Sequence, residues 1–127
     1  MQKIHWQAKV ICEIKSEANI SEHWTKRSAR HLQQKNAIYK EWNKDFPQIS
    51  LPCTIHLSRV YPRFLDSDNL TISMKSIRDK IADLLIPGEK PGRADSNPQI
   101  TWQYSQRKPF KNEEKGLEII IYSDNEG

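Results

Sequence analysis

Apolar and polar residues alternate at the start of the chain. From Lys3 to Lys15 the even positions Ile4, Trp6, Ala8, Val10, Cys12 and Ile14 are apolar and most odd ones are polar, the period-two signature of a half-buried strand. After Ala18-Asn19-Ile20, Ser21 is placed to cap a helix. The Gly- and Pro-free stretch that follows predicts this helix over about Glu22 to Asp45. Beyond Pro47 and Pro52, Cys53, Ile55 and Leu57 alternate with Thr54, His56 and Ser58, predicting a second strand that ends near Tyr61-Pro62. Leu70, Met74, Ile77, Ile81 and Leu84 recur at helical spacing and predict one continuous helix from about Asn69 to Leu85, stopped by Pro87-Gly88. Ile100, Trp102 and Tyr104 mark a third strand and Leu117 to Tyr122 a fourth, read as a long-looped hairpin. The order β-α-β-α-β-β predicts a single domain over 1–127, of α/β (α+β) class, with a mixed four-stranded sheet and two main helices.

The bulk numbers narrow the class. With 127 residues, 36% hydrophobic and 28% charged, the chain is long enough for one core and too apolar for a disordered tail. No apolar run reaches the roughly 18 residues of a membrane span, and MQKIHWQAKV has no apolar signal core. The expectation is a soluble, cytoplasmic protein with no membrane partner. Cys12 and Cys53 fall on the apolar phases of strands, which predicts buried thiols with neither disulfide nor zinc. Twenty Lys and Arg against sixteen Asp and Glu give a formal charge of +4, which favours a polyanionic partner.

Chemistry concentrates between the second strand and the second helix. Asp66 and Asp68 stand two residues apart at a strand-to-helix junction, where hard cations such as Mg²⁺ or Mn²⁺ take carboxylate oxygens and keep waters for phosphate chemistry. The ordinary alternative for Asp68 is a helix N-cap. On a continuous helix, Asp68, Lys75 and Asp79 share a stripe about 160° from the apolar face. Lys75 is then placed to reach a phosphate, or simply to pair with Asp79 on the surface. Asp95, ahead of the third strand, is a third acidic candidate or else an Asx turn before Pro98. The loop of roughly 13 residues from Pro87 to Gln99 spans up to about 40 Å, enough to return Asp95 to Asp66 and Asp68 or to offer it to a partner subunit. Basic candidates for DNA contact are Arg63, Lys90, Arg93, Arg107, Lys108 and Lys111. Helix one adds Lys26, Arg27, Arg30, Lys35, Lys40 and Lys44, which a solvated face explains equally. The four histidines lack metal-pair spacing, and no nucleotide-binding glycine motif or G-x-S-x-G occurs.

Asp66-Ser67-Asp68-Asn69-Leu70 resembles the D-x-D-N-L of the RusA-type Holliday junction resolvases, homodimeric endonucleases of phage and prophage origin that cut four-way DNA junctions with Mg²⁺ or Mn²⁺. Lys75 and Asp79 resemble that family's K-x-x-x-D, and Asp95 through Ile100 its acidic segment before a strand. Asn19 with His23-Trp24 is loosely similar to its N-terminal loop and helix entrance. Two departures stand in the sequence. Ile72 occupies the usual lysine position one turn past the second aspartate, and the second acidic pair reads Asp95-Ser96-Asn97. Aligned on Asp95, one carboxylate is kept; aligned on Gln99, Ser96 and Asn97 take the acidic positions. The resemblance implies Asp66, Asp68 and Asp95 as metal ligands, Lys75 as the group that stabilises phosphate charge, and Asn69 and Asp79 as supports around them. It also implies a homodimer that nicks branched DNA in pairs during recombination or repair. A catalytically silent, junction-binding relative is the alternative.

Overall fold

The computed structural model describes residues 3–17, 23–88 and 94–123. Its elements are β1 (Lys3–Val10), α1 (Trp24–Asp45), β2 (Cys53–Val60), α2 (Ser67–Ser73), α3 (Lys75–Leu85), β3 (Ile100–Arg107) and β4 (Gly116–Ser123), with a 3₁₀ turn at Ala94–Ser96. The described residues form one mixed four-stranded sheet in the order β1-β4-β2-β3. The class and the β-α-β-α-β-β order are as the residue pattern predicts, with the second helix in two pieces.

Several local expectations are corrected. β3 and β4 are not a hairpin: β3 runs parallel to β2, while β4 inserts antiparallel between β1 and β2. The reason lies in β4 itself. Leu117, Ile119 and Ile121 are buried and Ile120 and Tyr122 half-buried, so the strand is apolar on both faces and belongs in the middle of a sheet. Gly116 lets it start there, since a Cβ at that position would stand 2.4 Å from the Val10 carbonyl oxygen.

β1 ends at Val10 instead of Lys15, although Cys12 and Ile14 continue into the core without strand pairing. Between Ile4 and Trp6 the register slips, so Ile4 faces Tyr122 while Trp6 faces Ile121. One inserted residue inverts the side-chain phase. Trp6 is consequently buried while Ile4 is exposed, despite their shared parity.

α1 begins at Trp24 with His23 as its N-cap, whose Nδ1 accepts from the Thr25 amide; the expected cap Ser21 lies outside the described residues. It stops at Phe46, which is left-handed (φ 44°), just before Pro47. Its inner stripe is Arg30, Gln34, Ile38 and Trp42, polar above and apolar below. Arg30 is therefore not a solvated phosphate contact: it is buried and paired with Glu17.

The second helix breaks at Met74 (φ −94°, ψ 0°). Ser73 Oγ donates to the Leu70 carbonyl at 2.7 Å and the Met74 amide turns to the Thr71 carbonyl at 3.2 Å, so a side-chain bond and a tightened i−3 bond replace regular helix. Leu70, Met74, Ile77 and Ile81 are buried as predicted, but Asp68 and Lys75 belong to different helices and share no continuous stripe. α1 packs on α3 and β1. Together these helices enclose the core against one sheet face through Trp6, Val10, Ile55, Leu57, Ile119 and Ile121.

Both cysteines are buried and neither is in a disulfide, and burial pushes the Cys12 thiol up to about 12. A thiol held protonated in apolar surroundings is a poor nucleophile. Native protein at neutral pH is expected to leave both thiols unmodified by a thiol-reactive dye, with full labelling in denaturant; fast native labelling would contradict this packing. Because the folded value is raised, the contribution of Cys12 to stability is complete below the ordinary thiol pKa and is lost as pH climbs from there towards 12.

Candidate functional site

The segment 61–66, which carries the chain from β2 to α2, has no regular structure of its own, so side chains from the sheet must hold it. Two do. Arg59, on the core phase of β2 and buried, donates through Nε to the Ile14 carbonyl (3.0 Å) and through NH1 to the Arg63 carbonyl (2.7 Å), with its guanidinium 4.0 Å over the Tyr61 ring. Burial draws its pKa below the ordinary arginine value, and among the described residues the charge is held by carbonyls and a ring face without a carboxylate. Gln106 on β3 clasps Leu65 from both sides: its Oε1 accepts the Leu65 amide (2.9 Å) and its Nε2 donates to the Leu65 carbonyl (2.7 Å). The backbone is thus fixed one residue before Asp66.

Asp66 is the N-cap of α2, not Asp68. Its Oδ1 accepts the Asn69 amide (2.9 Å) and its Oδ2 accepts the Asn69 side-chain NH₂ (3.0 Å). Asn69 therefore orients the Asp66 carboxylate, and lone pairs remain on both oxygens. Asp68 lies in the first turn of α2, exposed, with no hydrogen bond or ion pair among the described residues. A carboxylate there is favoured by the helix dipole and free to take a ligand.

Lys75 opens α3 and meets two acids: Asp79 Oδ1 at 2.8 Å and Asp95 Oδ2 at 2.9 Å. Asp79, then Asp95, holds its ammonium above the usual lysine range, with burial opposing them. The attraction of Lys75 to its acids is present at neutral pH and is lost as pH rises through that raised value. Asp95, only 7% exposed, also faces Arg78 NH2 at 3.3 Å, and its backbone carbonyl accepts the Trp102 indole N–H at 3.0 Å. Arg78 in turn donates to the Tyr104 hydroxyl (2.8 Å) and lies 5.0 Å over the Trp102 ring. Asp95 is not the Asx turn; Asn97 is, its Oδ1 accepting the Gln99 amide at 2.8 Å.

The folded chain thus brings together Lys75, Asp79 and Asp95, and separately Asp66, Asp68 and Asn69. Among the described residues no group of three His, Cys, Asp or Glu side chains gathers as a metal site. Tested for Mg²⁺ or Mn²⁺, the Asp66 and Asp68 pair fits: two solvent-facing hard oxygen donors suit an ion that keeps most of its waters. Asp95 is occupied by Lys75 and Arg78 instead of completing that pair.

Of the basic candidates, Lys90 and Arg93 lie outside the described residues, as does Asn19. Arg63, Lys108 and Lys111 are exposed. Arg107 is already engaged: its NH2 reaches Glu113 (2.6 Å) and Glu118 (2.8 Å), and Lys9 joins Glu113 at 2.9 Å. Those bonds hold Glu113 well below the usual carboxylate range and pin the β3-to-β4 loop to β1. Arg107 is therefore better suited to shaping that loop than to meeting phosphate.

Arg59 and Gln106 were missed as site residues, although the sequence held a signal. Each continues an apolar phase, after Cys53-Ile55-Leu57 and after Ile100-Trp102-Tyr104, and a polar residue in a buried phase must find partners. Gln106→Ala is expected to cost about 1–2 kcal/mol of stability, from two Leu65 backbone groups deprived of partners. Urea unfolding checks this, and a loss under about 0.5 kcal/mol would mean that Gln106 does not hold the segment before Asp66. No family model, curated protein or solved structure matches the chain.

Proposed function

We propose that the chain is a metal-dependent endonuclease acting on branched DNA, in particular four-way junctions, as a homodimer with one site per protomer. The observation that carries this reading is a solvent-facing carboxylate pair, Asp66 oriented by Asn69 and Asp68 exposed in the first helical turn beside it. Asp66 and Asp68 sit at the start of α2, on a segment that Arg59 and Gln106 fix from behind. One carboxylate held in place with a second open beside it suits a cation that keeps most of its waters.

In this proposal Asp66 and Asp68 hold Mg²⁺ or Mn²⁺, which supplies an activated water and neutralises phosphate charge. Asn69 keeps the Asp66 carboxylate turned outward. Lys75, 58% exposed at its side chain, stabilises charge on the phosphate, and Asp79 and Asp95 keep its ammonium protonated and in place. Exposed Arg63, Lys108 and Lys111 meet the DNA backbone. The resemblance to the RusA-type resolvases supports the same assignment and a cytoplasmic role in recombination or repair of phage or prophage DNA.

A second reading, a junction-binding relative that does not cut, is favoured by one observation: Asp95 is held by Lys75 and Arg78, and the next two residues, Ser96 and Asn97, carry no charge. The test is cleavage of a labelled synthetic four-way junction and a matching linear duplex with Mg²⁺, Mn²⁺ or chelator. Paired nicks in the junction alone, abolished by chelator, are expected. Tight junction binding without nicks in either metal would select the second reading.

A further inference from the structure

Between α1 and the α2–α3 unit lies a cleft of about 360 Å³ whose charged lining is Glu17, Arg27, His31, Lys35, Lys75 and Asp79. Ile72 and Ser76 complete its walls. The volume is at the small end of ligand pockets, which run from about 300 to 1,000 Å³. It suits a phosphate with its sugar and not a folded partner.

The acids of this cleft already have partners. Glu17 takes Arg30 and, at 2.5 Å, His31 Nε2; Asp79 takes Lys75 at 2.8 Å. Ser76 Oγ donates to Gln34 Oε1, so its hydroxyl is satisfied from behind the wall. Lys35, half-buried, has no ion pair among the described residues, and the guanidinium of Arg27, which has an interaction of its own, stands in the same lining. A partly desolvated ammonium in a concave, cation-rich wall is best compensated by an anion entering the cleft. Ile72 offers an apolar surface on which a deoxyribose can rest. Lys75 connects this cleft to Asp95, because the same ammonium lines the one and bonds the other.

We propose that this cleft holds a backbone phosphate of the bound DNA strand, contacted by Lys35 and Arg27. The assignment rests on the DNA-binding reading above and goes beyond it by fixing the path of one strand along α1 towards Lys75.

The experiment is fluorescence anisotropy of a labelled four-way junction in chelator, titrated over a range of salt with wild type, Lys35→Gln, Arg27→Gln and Lys40→Gln. Lys40 is exposed on α1 and does not line the cleft. Lys35→Gln and Arg27→Gln are each expected to bind roughly fivefold more weakly and to reduce the slope of log affinity against log salt by about 0.9, the signature of one lost phosphate contact. Lys35→Arg is expected to restore the slope and Lys40→Gln to leave it unchanged. An unaltered slope for Lys35→Gln, or an equal loss for Lys40→Gln, overturns the cleft assignment and leaves the nuclease reading standing. A wild type that binds but never cuts, with the slope lowered in Lys35→Gln, supports the cleft and removes the nuclease. Absence of any DNA binding by wild type overturns both.

Discussion

On the proposed nuclease reading, Asp68→Asn is expected to reduce junction cleavage by a factor on the order of 10² or more while leaving junction affinity at or above the wild-type level. The substitution is close to isosteric, and the side chain is exposed in the first turn of α2 with no partner to lose among the described residues. The folding cost is confined to the lost attraction between a carboxylate and the helix N-terminus, about 0.3–1 kcal/mol. An amide oxygen is a weaker donor to a hard cation than a carboxylate, so an effect on metal-dependent cutting is separated from an effect on folding. Removing a negative charge near phosphate favours binding. The measurement is single-turnover cleavage in Mg²⁺ beside anisotropy in chelator and a thermal melt. Cutting at the wild-type rate would sink the metal role of Asp68. Asp66→Asn is a less clean probe, because Asp66 also caps α2 and receives two bonds from Asn69.

Trp6→Ala is expected to destabilise the protein by about 3–5 kcal/mol, the range for deleting a buried large aromatic. Trp6 is buried on β1, its ring meets Trp42 edge-on at 5.0 Å and 72°, and its indole N–H donates to Asp45 Oδ2 at 2.8 Å. One side chain therefore ties the edge strand to the last turn of α1 by packing, a T-shaped contact and a hydrogen bond. Urea unfolding followed by Trp fluorescence measures it, and Trp6→Phe is expected to recover much of the loss by restoring the ring without the N–H. A loss under about 1 kcal/mol for Trp6→Ala would mean that this corner collapses around the gap, against the close packing of cores.

Element types were legible because they follow from local periodicity. Strand alternation at Cys53 to Leu57 and helical spacing from Leu70 to Ile81 are properties of neighbouring residues; the apolar positions they mark are buried, and in the inner strand β2 Thr54 and Ser58 on the other phase are buried as well. The acid pair, Asn69 beside it, and the Lys75–Asp79 pair were visible for the same reason: their partners lie three or four residues away. The break at Met74 was less legible, since it depends on Ser73 choosing the Leu70 carbonyl over solvent.

Pairing across long sequence separations was decided elsewhere. That β4 displaces β3 from the hairpin position depends on which strand is apolar on both faces and on β2 having two free edges to fill. Asp95 meets Lys75 twenty positions away only because α3 and β3 carry both to one end of the sheet. Gln106 reaches Leu65 across forty-one positions, a contact with no local signature beyond a polar residue in a buried phase. The sequence by itself determined the chemistry of the candidate site, its carboxylates and lysine, through short-range spacing. Only the tertiary structure decided which of those charges neutralise one another and which face solvent, because that depends on strand order and helix packing, which the hydrophobic core sets without reference to charge.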